Sequence, residues 1–504
     1  MTGLVRKIGL FAALMTAGAA SAIAPGYDQL YRPQYHFSPR ENWTNDPNGL
    51  VYFEGEYHLF FQYNPFGDEW GHMSWGHAVS PDLMHWRQLP VALPEQDGIM
   101  IFTGSTVVDE HNSSGFCTGN KACMVAVYTG HTPPSGTRPA LQTQNIAYSN
   151  DRGRTWTKYP GNPVLNLNLT DFRDPKVFWS QKSNRWVMVV SLPNDHKVRL
   201  YGSPDLKKWA ALSEFGPAGA TGGQWECPEL FELPVEGAGR ETRWILKVGL
   251  NPGGLGGGSG EQYFVGRFDG TRFTNDNPAS QTLWTDYGKD CYCALTFNHL
   301  PAAHAPVMLG WMNDWQYAAK LPTSPWRGQM TIPRKLSLRQ TGAGIRMYQQ
   351  PADELQGLKG ESIAIRGSTK TYSHSFELQA EMKPGGAQQV GWKLLAADGT
   401  YTVVGYKRAS GTVFVDRRHS GRTDFSKDFP AISEAPLQLP DGVLRLRVLV
   451  DRCSVEVFAG DGEVAITDLV FPPAGASQID LWTAGGNAGE VKATYSEIRS
   501  VWSQ

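Results

Sequence analysis

A chain of 504 residues is too long for one ordinary hydrophobic core, so at least two domains are expected. With 41% hydrophobic and 19% charged residues it is globular, and a formal net charge of −2 offers no basic face to nucleic acid or an anionic membrane. The balance suits a neutral partner, and 17 Trp and 19 Tyr supply flat rings on which the C–H faces of sugars can pack.

In chain order, Arg6 and Lys7 precede an apolar run from Ile8 to Ala20, and Ala20-Ser21-Ala22 or Ala22-Ile23-Ala24 offers a small-residue cleavage site. Residues 1–24 therefore read as a signal peptide, too short to span a membrane, and the protein is expected to be secreted. Export permits disulfides. Cys117 and Cys123 close a short Gly-containing loop and form the expected bridge, whereas Cys291 and Cys293 are i,i+2 neighbours on one strand face. No zinc-like cysteine spacing and no H-E-x-x-H is present, so neither a catalytic metal nor a cofactor is expected. Sequons begin at Asn42, Asn112 and Asn168 and would be open to glycosylation in a eukaryotic host.

Beyond the leader, helical periodicity gives way to short β-branched and aromatic runs bounded by Gly, Pro, Asn or Asp: Leu50–Phe53, Tyr57–Tyr63, Met124–Tyr128, Trp186–Ser191, Trp244–Val248 and Tyr263–Phe268. That is an all-β pattern. Ser80-Pro81-Asp82-Leu83 through Trp86 recurs as Ser203-Pro204-Asp205-Leu206 through Trp209, with related turns at Ser149–Trp156 and Phe268–Phe273. Spacings of roughly 50 to 70 residues suit four-stranded propeller blades. Residues 25–340 are thus expected to form a five-bladed β-propeller, 341–361 a polar linker, and 362–504 a β-sandwich.

Three segments share a form: Trp43 to Gly49 (WTNDPNG), Phe172 to Lys176 (FRDPK) and Trp225 to Leu230 (WECPEL). Each places an acid one or two residues before a proline, which is allowed at the first residue of a strand. Equivalent first strands of successive blades converge on the propeller axis, so Asp46, Asp174 and Glu226 are expected to face one another. Glycoside hydrolysis needs such a set: a proton donor for the leaving oxygen and a carboxylate against an oxocarbenium-like centre.

WTNDPNG resembles the WMNDPNG signature of family 32 glycoside hydrolases, the invertase, inulinase and levanase family. FRDP, WECP, FFQYNP (Phe60–Pro65), FTGS (Phe102–Ser105), GWMNDW (Gly310–Trp315) and the stretch Asp451–Pro472 look like further blocks of that family, in order along the mature chain. The resemblance implies the same propeller and sandwich. It implies a retaining, exo-acting β-fructofuranosidase that releases terminal fructose from fructans and sucrose through a covalent fructosyl-enzyme. Asp46 would be the nucleophile, Glu226 the general acid and base, and Asp174 the stabiliser of the transition state, with Arg173 alongside. Asn45, Gln62, Trp70, Phe102 and Ser105 would line the fructose subsite, Trp311 would wall it, and Asp290 and Tyr292 are further candidates. Many members carry Asp where this chain has Glu229, a longer acid. The alternatives are a fructosyltransferase, which passes the same intermediate to a sugar, and a non-catalytic carbohydrate-binding propeller. The expected partner is a fructose-containing carbohydrate, and the expected assembly a monomer or homodimer.

Overall fold

The computed structural model describes residues 26–302 and 304–502; the expected signal peptide lies outside this range. Among the described residues no helix is long and apolar enough to cross a membrane. Strands dominate, and five antiparallel sheets of four main strands follow one another along the chain. Their innermost strands are Asn42–Phe53, Met100–Asp109, Arg173–Ser180, Gln224–Pro234 and Tyr292–Thr296. Each packs against the next, and the fifth against the first, so the blades close into a ring.

The recurring turn falls at one place in the architecture, between the third and fourth strands of blades 1 to 4. Asp82, Asp151, Asp205 and Asp269 each accept backbone N–H bonds from residues two to four positions on. The residue after each Asp is left-handed: Leu83, Arg152, Leu206 and Gly270. The aspartate side chain satisfies the donors that the reversal exposes. Blade 5 makes the same reversal with a tight hairpin from Thr341 to Gly344, and so carries no copy of the motif.

That hairpin also corrects the domain boundary. Gly344–Pro351, expected as linker, is the outermost strand of blade 5, paired with Arg334–Thr341. Its half-buried, mixed composition is that of a blade edge, which is why it reads as polar connector.

The C-terminal domain is a sandwich of two six-stranded antiparallel sheets around an apolar core that includes Leu378, Trp392, Val448 and Ile466. On the outer face of one sheet Leu449, Phe458 and Ala465 join the core of blades 1 and 5. Buried charge crosses the same seam. Arg334 of blade 5 reaches Asp286 (2.8 Å) and Glu456 (3.1 Å), and His36 lies between Asp451 (2.9 Å) and Glu456 (3.2 Å).

Candidate active site

Every innermost strand carries a two-against-one bulge at the same height on the axis. Pairing slips between Thr44 and Pro47, Ile101 and Gly104, Arg173 and Lys176, Glu226 and Glu229, and Tyr292 and Leu295. A bulge re-aims consecutive side chains, and five in register turn a ring of strands into a ring of inward-pointing groups. The prolines are thereby placed differently from expectation. Pro175 and Pro228 sit within the bulges, where the ladder requires no N–H, and not at the first residue of their strands.

Equivalent positions build two layers across blades 3, 4 and 5. The residues just before the bulge, Arg173, Glu226 and Tyr292, form a hydrogen-bonded row. Arg173 donates to Glu226 Oε1 from Nε (3.1 Å) and Nη2 (3.0 Å), and the Tyr292 hydroxyl donates to Oε2. The first bulge residues, Asp174, Cys227 and Cys293, form the second row, and all three are left-handed at φ 68°, 47° and 47°. The Cys227 N–H donates to Asp174 Oδ2 at 2.9 Å, and Cys227 is joined to Cys293 by a disulfide. Blades 1 and 2 add their second bulge residues: the Thr103 hydroxyl donates to Asp46 Oδ2 at 2.7 Å.

Asp46 Oδ1 is buried with no hydrogen-bond partner. Burial raises the Asp46 carboxyl to about 7, with the Thr103 bond pulling it down and the charge of Glu226 pushing it up. Asp174 also rises to about 7 through burial, held back by Arg173 and assisted by Glu226. Arg173 is buried yet held firmly protonated by Glu226 and Asp174, and Tyr292 is pushed well above the usual phenol range by burial and Glu226. The result is two reluctant acids beside a third that is fixed by two donors.

Other expected residues divide by position. The Asn45 amide oxygen accepts from Trp43 Nε1 (2.8 Å), and Trp43, Trp311 and Trp315 form an aromatic wall with ring centroids 4.8–6.2 Å apart. The buried Trp311 N–H has no partner. Phe102 stacks on His131 at 4.4 Å and meets the exposed ring of Trp70 at 6.1 Å, making an aromatic rim. The side chains of Gln62 and Ser105 are committed to the scaffold: Gln62 donates to Ile101 O (3.0 Å), and Ser105 accepts from Val177 N and donates to Pro175 O (both 2.9 Å).

Asp290 does not enter the pocket. Its carboxylate bonds Arg417, the Tyr317 hydroxyl (2.7 Å) and Leu469 N (2.8 Å) in the seam with the sandwich. The cause is its backbone, which pairs with Thr467 of the sandwich before the inner strand begins at Tyr292. Glu229 also lies outside the pocket, paired with Lys176 at 2.7 Å on the axis beneath the floor, where Lys176 also donates to Thr296 O.

Thr103, Asp171, Gln142, Gln224 and His131 belong to the site without having been singled out. Asp171 (2.8 Å) and Gln224 (2.7 Å) hold the Arg173 guanidinium. Thr103 lies inside the FTGS block, which was its only signal. The Cys117–Cys123 bridge forms as expected. Asp46, Cys227 and Cys293 place a carboxylate oxygen and two sulfurs within 4.8 Å, a grouping with the look of a metal site, but the sulfurs are bonded to each other and neither is a thiolate.

Comparison with known proteins gives the family of the chain and supports its fold. The pattern of the glycosyl hydrolases family 32 N-terminal domain matches residues 36–351, and that of the family 32 C-terminal domain matches 337–500. A Bacillus subtilis levanase is 46% identical over 99% of this chain and 75% of its own length, and an Aspergillus awamori extracellular exo-inulinase 43% identical over 94% and 96%. The crystal structure of an exo-inulinase from A. awamori superimposes with a TM-score of 0.90 at 42% identity, covering 94% of this chain and all of that one. A Schwanniomyces occidentalis fructofuranosidase solved with fructose gives 0.84 at 33% identity, covering 95% and 100%. The chain belongs to glycosyl hydrolase family 32.

Proposed function

We propose that the protein is an exo-acting β-fructofuranosidase that hydrolyses terminal fructose from fructans and sucrose with retention of configuration. The observation that carries this reading is the pairing of a buried, half-unpartnered Asp46 carboxylate with a Glu226 carboxylate gripped from both sides. Asp46 attacks the anomeric carbon from one face. Glu226 gives a proton to the leaving oxygen, then takes one from the water that releases the sugar. Asp174, oriented by the Cys227 N–H, binds fructose hydroxyls and gains strength as positive charge develops on the ring. Arg173 and Tyr292 fix the acid, and the Trp43–Trp311–Trp315 wall offers aromatic faces to the sugar.

A neutral sugar is the ligand such a site favours, since a second anion would meet three carboxylates. The names of the relatives, levanase and exo-inulinase, support a fructan substrate. Export is part of the proposal, supported by two disulfides, which persist in oxidising compartments. The test is product analysis on sucrose, inulin and levan, with NMR of the first fructose released. Fructose alone, appearing as the β-anomer before mutarotation, is expected. An α-anomer would refute retention, and fructo-oligosaccharide as the main product from sucrose would make the protein a transferase.

A further inference from the structure

Cys227 and Cys293 stand at the same bulge position on neighbouring blades, directly after Glu226 and Tyr292, whose side chains are hydrogen-bonded to each other. They are 66 residues apart in sequence, and both are buried. The Cys227 sulfur lies 3.7 Å from Asp46 Oδ2, so the bridge touches one reacting acid and is bonded through backbone to the other. A disulfide sulfur has no proton to give that oxygen, which accepts only from the Thr103 hydroxyl, and Asp46 Oδ1 has no hydrogen-bond partner. No other disulfide spans two blades among the described residues, since Cys117–Cys123 closes a loop within blade 2 and Cys291 and Cys453 are free.

We propose that the Cys227–Cys293 disulfide is a positioning element of the active site: it locks blades 4 and 5 together so that Glu226, Tyr292 and Asp46 keep their reactive spacing, and it keeps the floor under Asp46 dry. Two tethered strands cannot slide or splay, and the Tyr292–Glu226 contact is then set by covalent geometry instead of by one hydrogen bond. Forming the bond removes two electrons and two protons from the paired thiols, taken up by a disulfide oxidant that becomes two thiols. Once folded, the buried bond is shielded from small reductants, so it acts as a permanent staple installed during oxidative folding. A displacement of ~1 Å at a reacting group can cost ~100-fold in rate.

The inference rests on the roles proposed for Asp46 and Glu226. Its test compares the wild type with Cys227→Ala, Cys293→Ala and the double variant, using thiol counts in denaturant and kinetics on sucrose. The wild type should show only the thiols of Cys291 and Cys453. Each variant should lose roughly 10- to 100-fold in kcat with KM within about threefold, and its acid-side pH limb should move to lower pH as the floor under Asp46 hydrates. All three losses should be equal, because each removes the same bond. Losses that multiply in the double variant, unchanged kcat and pH profile in Cys293→Ala, or four free thiols in the wild type would each overturn the proposal. If the variants do not fold, Cys117→Ala/Cys123→Ala protein is reduced, unfolded, and refolded with and without a disulfide oxidant. Activity that requires the oxidant supports the proposal, and equal activity overturns it. A wild type unable to cleave sucrose, inulin or levan would instead refute the proposed function.

Discussion

The propeller mouth and the propeller–sandwich seam both bury acids, and they treat them in opposite ways. In the seam Asp451 accepts from Gln34 N, Tyr35 N, Ser375 Oγ and His36, while Glu456 accepts from His36, Ile332 N and Arg334. Burial disfavours their charge, yet His36 with Asp451, and Arg334 with Glu456, hold both carboxyls below the usual range; His36 itself is raised to about 9. In the mouth Asp46 and Asp174 are also buried, at 9% and 5% exposure against 0% for Asp451 and Glu456, and rise to about 7. Both pairs are desolvated, and the supply of donors differs. Asp468 shows the rule inside the seam: it must share Arg417 with Asp290, and it rises to about 7. Asp451 and Glu456 are structural, with donors on every oxygen, whereas Asp46 keeps Oδ1 open beside the other acids of the mouth, where it can do chemistry.

That contrast can be broken from either side. Apart from Asp46 itself, the largest effect is expected at Glu226: Glu226→Gln should lower kcat on sucrose by about 10³-fold or more with the fold intact, read by steady-state kinetics and circular dichroism. Next comes the seam. Arg417→Met leaves Asp290 buried without its cation and should cost about 3–5 kcal/mol, seen as a large fall in Tm, while the kcat of the folded fraction stays near wild type. A comparable loss of kcat would put Asp290 back in the pocket.

The pH dependence separates the regions further. A raised carboxyl adds stability below its unfolded value that is lost as pH rises through about 7, so Asp46 and Asp174 destabilise the protein in alkali. His36 adds stability below its ordinary value that is lost as pH rises through about 9. The lowered seam acids contribute in the opposite direction, losing their stabilisation only as pH falls through their depressed values. Activity should therefore fall on the acid side as Asp46 takes up a proton, at pH values where melting still reports a folded protein. The smallest effect is at Tyr292→Phe, which removes one of Glu226's donors and should lower kcat about 10-fold with little change in KM.

Much of this was legible in the sequence, for identifiable reasons. The three acids were, because each lies one or two residues before a proline that a bulged inner strand tolerates. Blades 1 to 4 were, because each third-to-fourth turn spends an Asp on its own backbone. Blade 5 was expected only from the length of the segment, because its hairpin needs no Asp, and its polar outer strand was read as linker. Asp290 and Tyr292 looked alike two residues apart; only the pairing of 290 with the sandwich separates them. Ser105 and Gln62 were placed at the right height, but their hydrogen bonds tie blade to blade. The Cys227–Cys293 bridge was invisible, since no spacing rule joins two bulge positions on neighbouring blades.

The most direct test of the account is Asp46→Asn, measured for kcat at the optimum and for Tm at pH 4 and pH 8. The variant keeps the shape and removes the poorly solvated charge. Expected are a loss of about 10⁴-fold in kcat, a Tm at pH 8 at or above wild type, and no gain at pH 4, where wild-type Asp46 is already protonated. Activity within tenfold of wild type, or a fall in Tm like that of Arg417→Met, would contradict it.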